Sequence, residues 1–239
     1  MKTFAFVAAL VALVGLRPVQ SYAQAVSCEG HEVQPPPWGD DILCHFEDEF
    51  CGTPYGTIGF CPGSWGSGVC TEGGGYIEIL TDKSFAGPMI EIECQVMFTQ
   101  LPGPGENAAG LITKYVNGDP VHSEFGLFVE GNTMPPSWEL AGDGTDVIHS
   151  NGGIEVNVLY CVRGWICRNG IGEIWVNNQR VATGWVHMND VATDTPVVIG
   201  NSHSGENYFH GMIDEVRMGT DSIIGTEEAT WGSIKEIYR

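Results

Sequence analysis

Tyr208-Phe209-His210-Gly211-Met212-Ile213-Asp214-Glu215-Val216-Arg217-Met218 is the stretch whose reading decides the fold. With a period of two, Met212, Val216 and Met218 fall on one face, and Asp214 falls with them. A carboxylate in an apolar row must meet a cation or several hydrogen-bond donors, because burying it alone is prohibitive. The segment therefore predicts a half-buried strand and marks Asp214 as a residue with a task.

The same alternation recurs outward from this segment. It is clearest from Met89 to Phe98, where Ile90, Ile92, Cys94, Val96 and Phe98 point inward and Glu91, Glu93 and Gln95 outward. Ile42, Cys44, Phe46 and Phe50 share a face between Asp41 and Phe50. Further strands are expected at Tyr76–Leu80, Gly110–Tyr115, Phe125–Glu130, Ser137–Leu140, Val156–Arg163, Ile171–Val176 and Val197–Gly200. Turn clusters such as 101–105, 117–120 and 151–153 separate them. Val176-Asn177-Asn178-Gln179 reads as a tight hairpin turn, because asparagine tolerates positive φ. Many short strands with almost no helical periodicity predict a single all-β sandwich of two antiparallel sheets. Only the tail, roughly 227–238, has one apolar side suited to a short helix.

Residues 1–25 read as a secretory signal peptide: a basic start, an apolar run from Phe4 to Leu16, then Ala23-Gln24-Ala25. That run is too short for a stable membrane span. A lipoprotein reading at Cys28 is the weaker one, because Arg17 and Pro18 separate it from the apolar run. Residues 26–40 form a proline-rich lead-in, 41–219 the sandwich domain and 220–239 a tail. The chain carries a formal charge of −20, and loss of Lys2 and Arg17 with the signal makes it more negative. Such a surface argues against nucleic acid and anionic membranes as partners, both of which need clustered Lys and Arg. Eight cysteines in an exported chain suggest up to four disulfides of open connectivity, and no Cys-x-x-Cys pair is present. Residues 51–75 read as a Cys- and Gly-rich loop pinned by such bonds. The expected location is extracellular or the cell surface, with the periplasm an alternative.

The order of strands and turns resembles the laminin-G-like, concanavalin A-like jelly-roll family. Phe209–Arg217 is similar to its closing strand, aromatic-x-Gly-x-Ile-Asp-Glu-Val-Arg. Residues 172–184 look like its strand-turn-strand hairpin, 196–201 like the strand before the closing loop, and 231–238 like its Trp-Ile-x-x-Glu-Tyr tail. The resemblance implies a jelly roll used mostly for binding glycans or matrix proteins, often with one Ca²⁺. It implies Asp214 as a calcium ligand, with Glu47 and Asp48 as partners from the first strand. Calcium takes six to eight oxygens, many of them backbone carbonyls.

Loop aromatics supply the candidate ligand platform, since sugar C–H faces stack on flat rings while amides and carboxylates read hydroxyls. The candidates are Trp138, Trp185, Asn201, His203, Asn207 and Tyr208. Trp65 lies in the cysteine-rich loop, and Trp175 is read as a cover for the sheet. Glu91, Glu93 and Gln95 resemble a retaining glycosidase strand in their spacing, but Gln95 stands where the acid/base belongs and cannot serve. No nucleophile elbow and no His-Glu-x-x-His pair is present. The sequence thus points to a secreted, non-catalytic module that binds extracellular carbohydrate with calcium. The alternatives are an adhesive surface protein and, more remotely, a hydrolase using Glu91 and Glu93.

Overall fold

Strand pairing confirms the period-two reading and extends it. The computed structural model describes residues 42–220 except 48, 64–65, 81–84, 86–88, 105, 107, 117, 134, 168–169, 190–192 and 202–208. The expected signal peptide, the lead-in and the tail helix lie outside the described residues. Fifteen strands run in chain order: β1 (Ile42–Cys44), β2 (Thr53–Tyr55), β3 (Ile58–Pro62), β4 (Ser67–Glu72), β5 (Tyr76–Ile79), β6 (Met89–Gln100), β7 (Ala109–Lys114) and β8 (Phe125–Glu130). They continue with β9 (Ser137–Ala141), β10 (Val147–His149), β11 (Leu159–Cys167), β12 (Ile171–Val176), β13 (Gln179–Trp185), β14 (Val197–Ile199) and β15 (His210–Thr220).

The strands form two antiparallel sheets. One has the order β13-β12-β11-β6-β15-β4-β3, with β1 also paired to β15; the other has the order β10-β9-β8-β7-β14-β5-β2. Their inner faces make one core in which Ile90, Ile92, Cys94, Val96 and Phe98 of β6 meet Leu111, Leu127, Leu140 and Ile199 of the second sheet. β6 alternates as its sequence predicts. Asn177 and Asn178 hold φ of 49° and 63° in the β12–β13 turn, as that hairpin requires.

The cysteine-rich segment is not a loop. It forms β2, β3 and β4, and β4 pairs with β15 through Met212↔Cys70 and Ile213↔Val69. Cys61–Cys70 cross-links β3 to β4, and Cys44–Cys51 ties β1 to the following turn. Cys161 is also disulfide-bonded. Cys94 is a free, buried thiol and Cys167 a second free one, so four disulfides do not form. Burial, reinforced by the Glu93 carboxylate, keeps the Cys94 thiol protonated. Cross-links of this kind persist in oxidising compartments. Among the described residues, no helix is long and apolar enough to cross a membrane.

A buried ion pair closes the end of the β7–β8 hairpin. Lys114 and Glu124 lie 2.8 Å apart with their side chains 0% and 2% exposed. Lys114 Nζ also donates to the Thr193 carbonyl at 3.0 Å, and its charge sits over the Phe85 ring. Glu124 Oε1 accepts the Thr193 N–H and hydroxyl at 2.6 and 2.8 Å. The pair thus fastens the segment before β14 to the hairpin.

Candidate functional site

The closing strand carries a bulge that changes the reading of Asp214. Asp214 pairs with Gln95 and Arg217 with Glu93, so two β15 residues oppose one on β6, and Glu215 takes a φ of 49°. The extra residue shifts the alternation. Ile213, Val216 and Met218 join the core, whereas Met212 and Asp214 lie on the outer face beside the β3–β4 hairpin. Asp214 is fully buried there, and its Oδ1 accepts the Glu215 N–H at 2.8 Å.

Two glycines make room for the carboxylates at this hairpin. A Cβ at Gly63 would meet Asp214 Oδ2 at 2.5 Å, and one at Gly66, whose φ is +102°, would meet Glu47 Oε2 at 2.3 Å. Gly63 N–H closes the turn onto the Gly66 carbonyl at 2.9 Å. Glu47 therefore faces the same turn as Asp214; Asp48 lies outside the described residues. Glu215 turns to His45, 2.7 Å away. Burial raises the Glu215 pKa, His45 opposes that rise, and Asp214 and Glu47 add to it. Among the described residues, no three His, Cys, Asp or Glu side chains converge as a metal site. Glu47 and Asp214 border one glycine turn, and carboxylate oxygens are donors of the kind calcium takes.

Two members of the expected loop platform, Trp138 and Asn201, are buried. Trp138 lies in β9, 2% exposed, packed against Phe98 and Tyr160 in the core. Its alternation with Leu140 outweighs the two prolines before it. Asn201 is fully buried; its carbonyl accepts the Thr113 hydroxyl at 2.9 Å. His203, Asn207 and Tyr208 lie outside the described residues, as does Trp65. Trp185 is exposed as expected, but it ends β13 and belongs to a different surface.

That surface is the outer face of the first sheet. Cross-strand register aligns Arg217 (β15), Glu93 (β6), Arg163 (β11), Trp175 (β12) and Arg180 (β13) in one row. The next row is Gly219, Glu91, Trp165, Glu173 and Thr183. A third begins with the pairs Met89↔Cys167 and Ile171↔Trp185. One tryptophan thus stands in each of three successive rows, on three adjacent strands.

Charged groups hold these indoles in place. The Arg163 guanidinium lies 4.9 Å from the Trp175 ring centroid, and Trp175 Nε1 donates to Glu173 Oε2 at 2.9 Å. Arg180 Nη1 donates to the other Glu173 oxygen at 2.8 Å. Glu91 lies 3.8 Å from Arg163. Trp165 Nε1 donates to Met89 Sδ. Trp165 and Trp175 are half-buried and Trp185 is 60% exposed. Flat rings flanked by carboxylates and guanidinium groups offer stacking surfaces beside hydrogen-bond donors and acceptors. Gln95 is buried, so the glycosidase-like row ends after two half-buried carboxylates.

The outer face of the second sheet is built differently. Phe128 stacks edge-on with Tyr115, and Glu139 beside them is only 12% exposed. Burial, then the charge of Glu130 and a hydrogen bond with it, pushes the Glu139 pKa from 4.5 up to about 8. Asp143 stays low despite its burial, because it accepts the Thr145 N–H and hydroxyl and bonds His187 Nδ1 at 2.7 Å.

This architecture, two antiparallel sheets packed into a disulfide-linked sandwich, is a concanavalin A-like jelly roll. Residues 102–223 match the laminin-G-type family model of the concanavalin A-like lectin/glucanases superfamily, and the chain belongs to that family. No curated protein matches it in sequence. Among solved structures, the binding domain of the Paraclostridial mosquitocidal protein 1 is similar in fold, with a TM-score of 0.51 and 8% identity, over 76% of this chain and 45% of that one. Domain 4 of an extracellular arabinanase from Geobacillus stearothermophilus, in complex with arabinotriose, gives a TM-score of 0.49 at 15% identity, over 74% and 81% of the chains. A putative carbohydrate binding protein from Bacteroides ovatus gives 0.45 at 17% identity, over 63% and 42%.

Proposed function

We propose that the protein is a non-catalytic carbohydrate-binding module whose ligand lies across the outer face of the first sheet. One observation carries this reading: Trp165, Trp175 and Trp185 occupy successive rows of that face, flanked by Glu91, Glu93, Arg163 and Glu173. The indoles stack on sugar C–H faces, and the flanking charges bond hydroxyl groups. Membership of a lectin-containing superfamily supports the same class of ligand. The protein works outside the cytoplasm, where its disulfides persist.

Trp185→Ala and Trp175→Ala are expected to weaken binding of an immobilised polysaccharide at least ~10-fold each, as truncation of a central aromatic anchor does. Affinity electrophoresis over a panel of plant and bacterial polysaccharides reads this out, with melting curves to verify folding. Folded variants that bind as the parent does would place the site elsewhere.

Calcium enters the proposal as a ligand of the hairpin. Glu47 and Asp214 would hold it, and the ion would neutralise the carboxylates there. Removing calcium with EDTA is then expected to lower Tm, and adding it back to restore it. An unchanged Tm would count against the ion and leave Asp214 as a structural hydrogen-bond acceptor.

A further inference from the structure

We infer that the ligand of this face is an anionic polysaccharide bearing one negative charge on every second sugar. The inference rests on the proposed tryptophan site and adds the charge pattern of its ligand. The chain has 30 acidic and 10 basic residues, so cations are scarce. Among the described residues the lysines and arginines are Lys114, Arg163, Arg180 and Arg217. Lys114 is sealed in the core against Glu124. The other three all fall in a single cross-strand row, which is also the row of Trp175.

The row has a regular order: Arg217, Glu93, Arg163, Trp175, Arg180. Adjacent strands lie ~4.8 Å apart, so successive arginine positions recur at roughly 10 Å across the sheet. A pyranose unit spans about one strand spacing. A glycan laid along the row therefore brings every second sugar over an arginine. The sugars between them meet Glu93, which accepts hydroxyl protons, and Trp175, which stacks.

The Arg180 guanidinium is exposed, whereas Arg163 and Arg217 are half-buried. The Arg180–Glu173 bridge is half open to solvent on its arginine side, at 52% exposure. An exposed pair of this kind contributes little to stability and yields readily to a better partner. The Arg163–Glu91 separation of 3.8 Å is long for a hydrogen bond. Guanidinium binds carboxylate or sulfate through paired N–H donors, with geometry that lysine lacks. Glu91, Glu93 and Glu173 stand beside the arginines, so a bound anion takes their place on the guanidinium groups, while acidic groups farther away are screened beyond ~8 Å at physiological ionic strength.

The test compares four probes by affinity electrophoresis and calorimetry: hyaluronan, with a carboxylate on alternate sugars; κ-carrageenan, with a sulfate on alternate sugars and no carboxylate; polygalacturonate, charged on every sugar; and an uncharged β-glucan. The expected result is preference for the alternately charged chains over β-glucan, weakened by added salt. Hyaluronan and the sulfated chain separate carboxylate from sulfate as the preferred anion. In Arg180→Gln and Arg217→Gln, binding of the anionic chain is expected to fall at least ~10-fold each. Equal binding of β-glucan by the parent, or no loss in either folded variant, would overturn the charge pattern while leaving the tryptophan site intact. Binding that survives Trp175→Ala would overturn the site itself. Silence towards all four probes would overturn both.

Discussion

Lys114→Met is expected to destabilise the fold by about 3–5 kcal/mol, because it leaves the Glu124 carboxylate buried without its cation. Lys114 and Glu124 are closed to solvent, so bulk water cannot stand in for either partner. The loss should appear as a lower urea midpoint with little change in slope, as for a change in stability alone. Glu124→Gln should be costly too, since it leaves the ammonium group facing an amide and weakens the bonds from Thr193. The double variant Lys114→Met/Glu124→Leu should recover part of the loss, because removing both charges removes the uncompensated one. Its recovery should be incomplete, as the Thr193 N–H and hydroxyl would lose their acceptor. A Lys114→Met midpoint within experimental error of the parent would refute this account. The result matters for the fold because the pair anchors the segment that leads into β14.

The sandwich was legible in the sequence wherever one face of a strand alternated cleanly. β6 and β12 both show this, and the paired asparagines predict the β12–β13 turn. Three features resisted, each for a physical reason. The β15 bulge adds one residue, and a single extra residue exchanges the faces of everything beyond it. That is why Asp214 parts from Val216 and Met218, although all three fall in one period-two row. The strands β2 to β4 hold too few branched or aromatic residues to announce themselves. β4 is fixed by pairing with β15, far away in sequence, β3 by pairing with β4 and by the Cys61–Cys70 bond, and β2 by pairing with β5 in the other sheet. The tryptophan face is a product of register between strands. Each indole taken alone looks like a cover for the sheet, and only the pairing of β11, β12 and β13 brings the three into successive rows. A signal was nevertheless present. Val162 and Ile166 alternate inward around Gly164, which leaves Arg163 and Trp165 facing out beside the row of Glu91 and Glu93. The loop reading of Trp138 failed in the opposite direction, because its inward partner Leu140 was a better guide than the preceding prolines.

Glu139→Gln is expected to flatten the dependence of stability on pH and to make the protein more stable in alkali. The folded state holds the Glu139 proton up to about pH 8, whereas the unfolded chain releases it near 4.5. Between those values the native state binds the extra proton, so stability falls as pH rises through the window. The contribution is fully present below the unfolded value and is lost once the pH passes the folded one. A shift of this size corresponds to roughly 4–5 kcal/mol across the whole window. The groups facing Glu139 are Glu130 from β8, His149 from β10 at 3.6 Å, and Tyr115, whose own pKa is raised by burial and then by Glu139 and Asp143. Glutamine retains an N–H donor toward Glu130 and carries no charge, so the variant should match the parent in mild acid and exceed it by several kcal/mol above about pH 8. Urea midpoints measured across this range decide the matter; parallel curves for parent and variant would show that Glu139 titrates normally. Glu139 lies on the outer face opposite the tryptophan rows, and the two faces share no residue. Glycan affinity of the folded protein should therefore be the same for parent and Glu139→Gln throughout the window, while stability diverges. A pH-dependent difference in affinity between them would couple the two faces and require a path through the core.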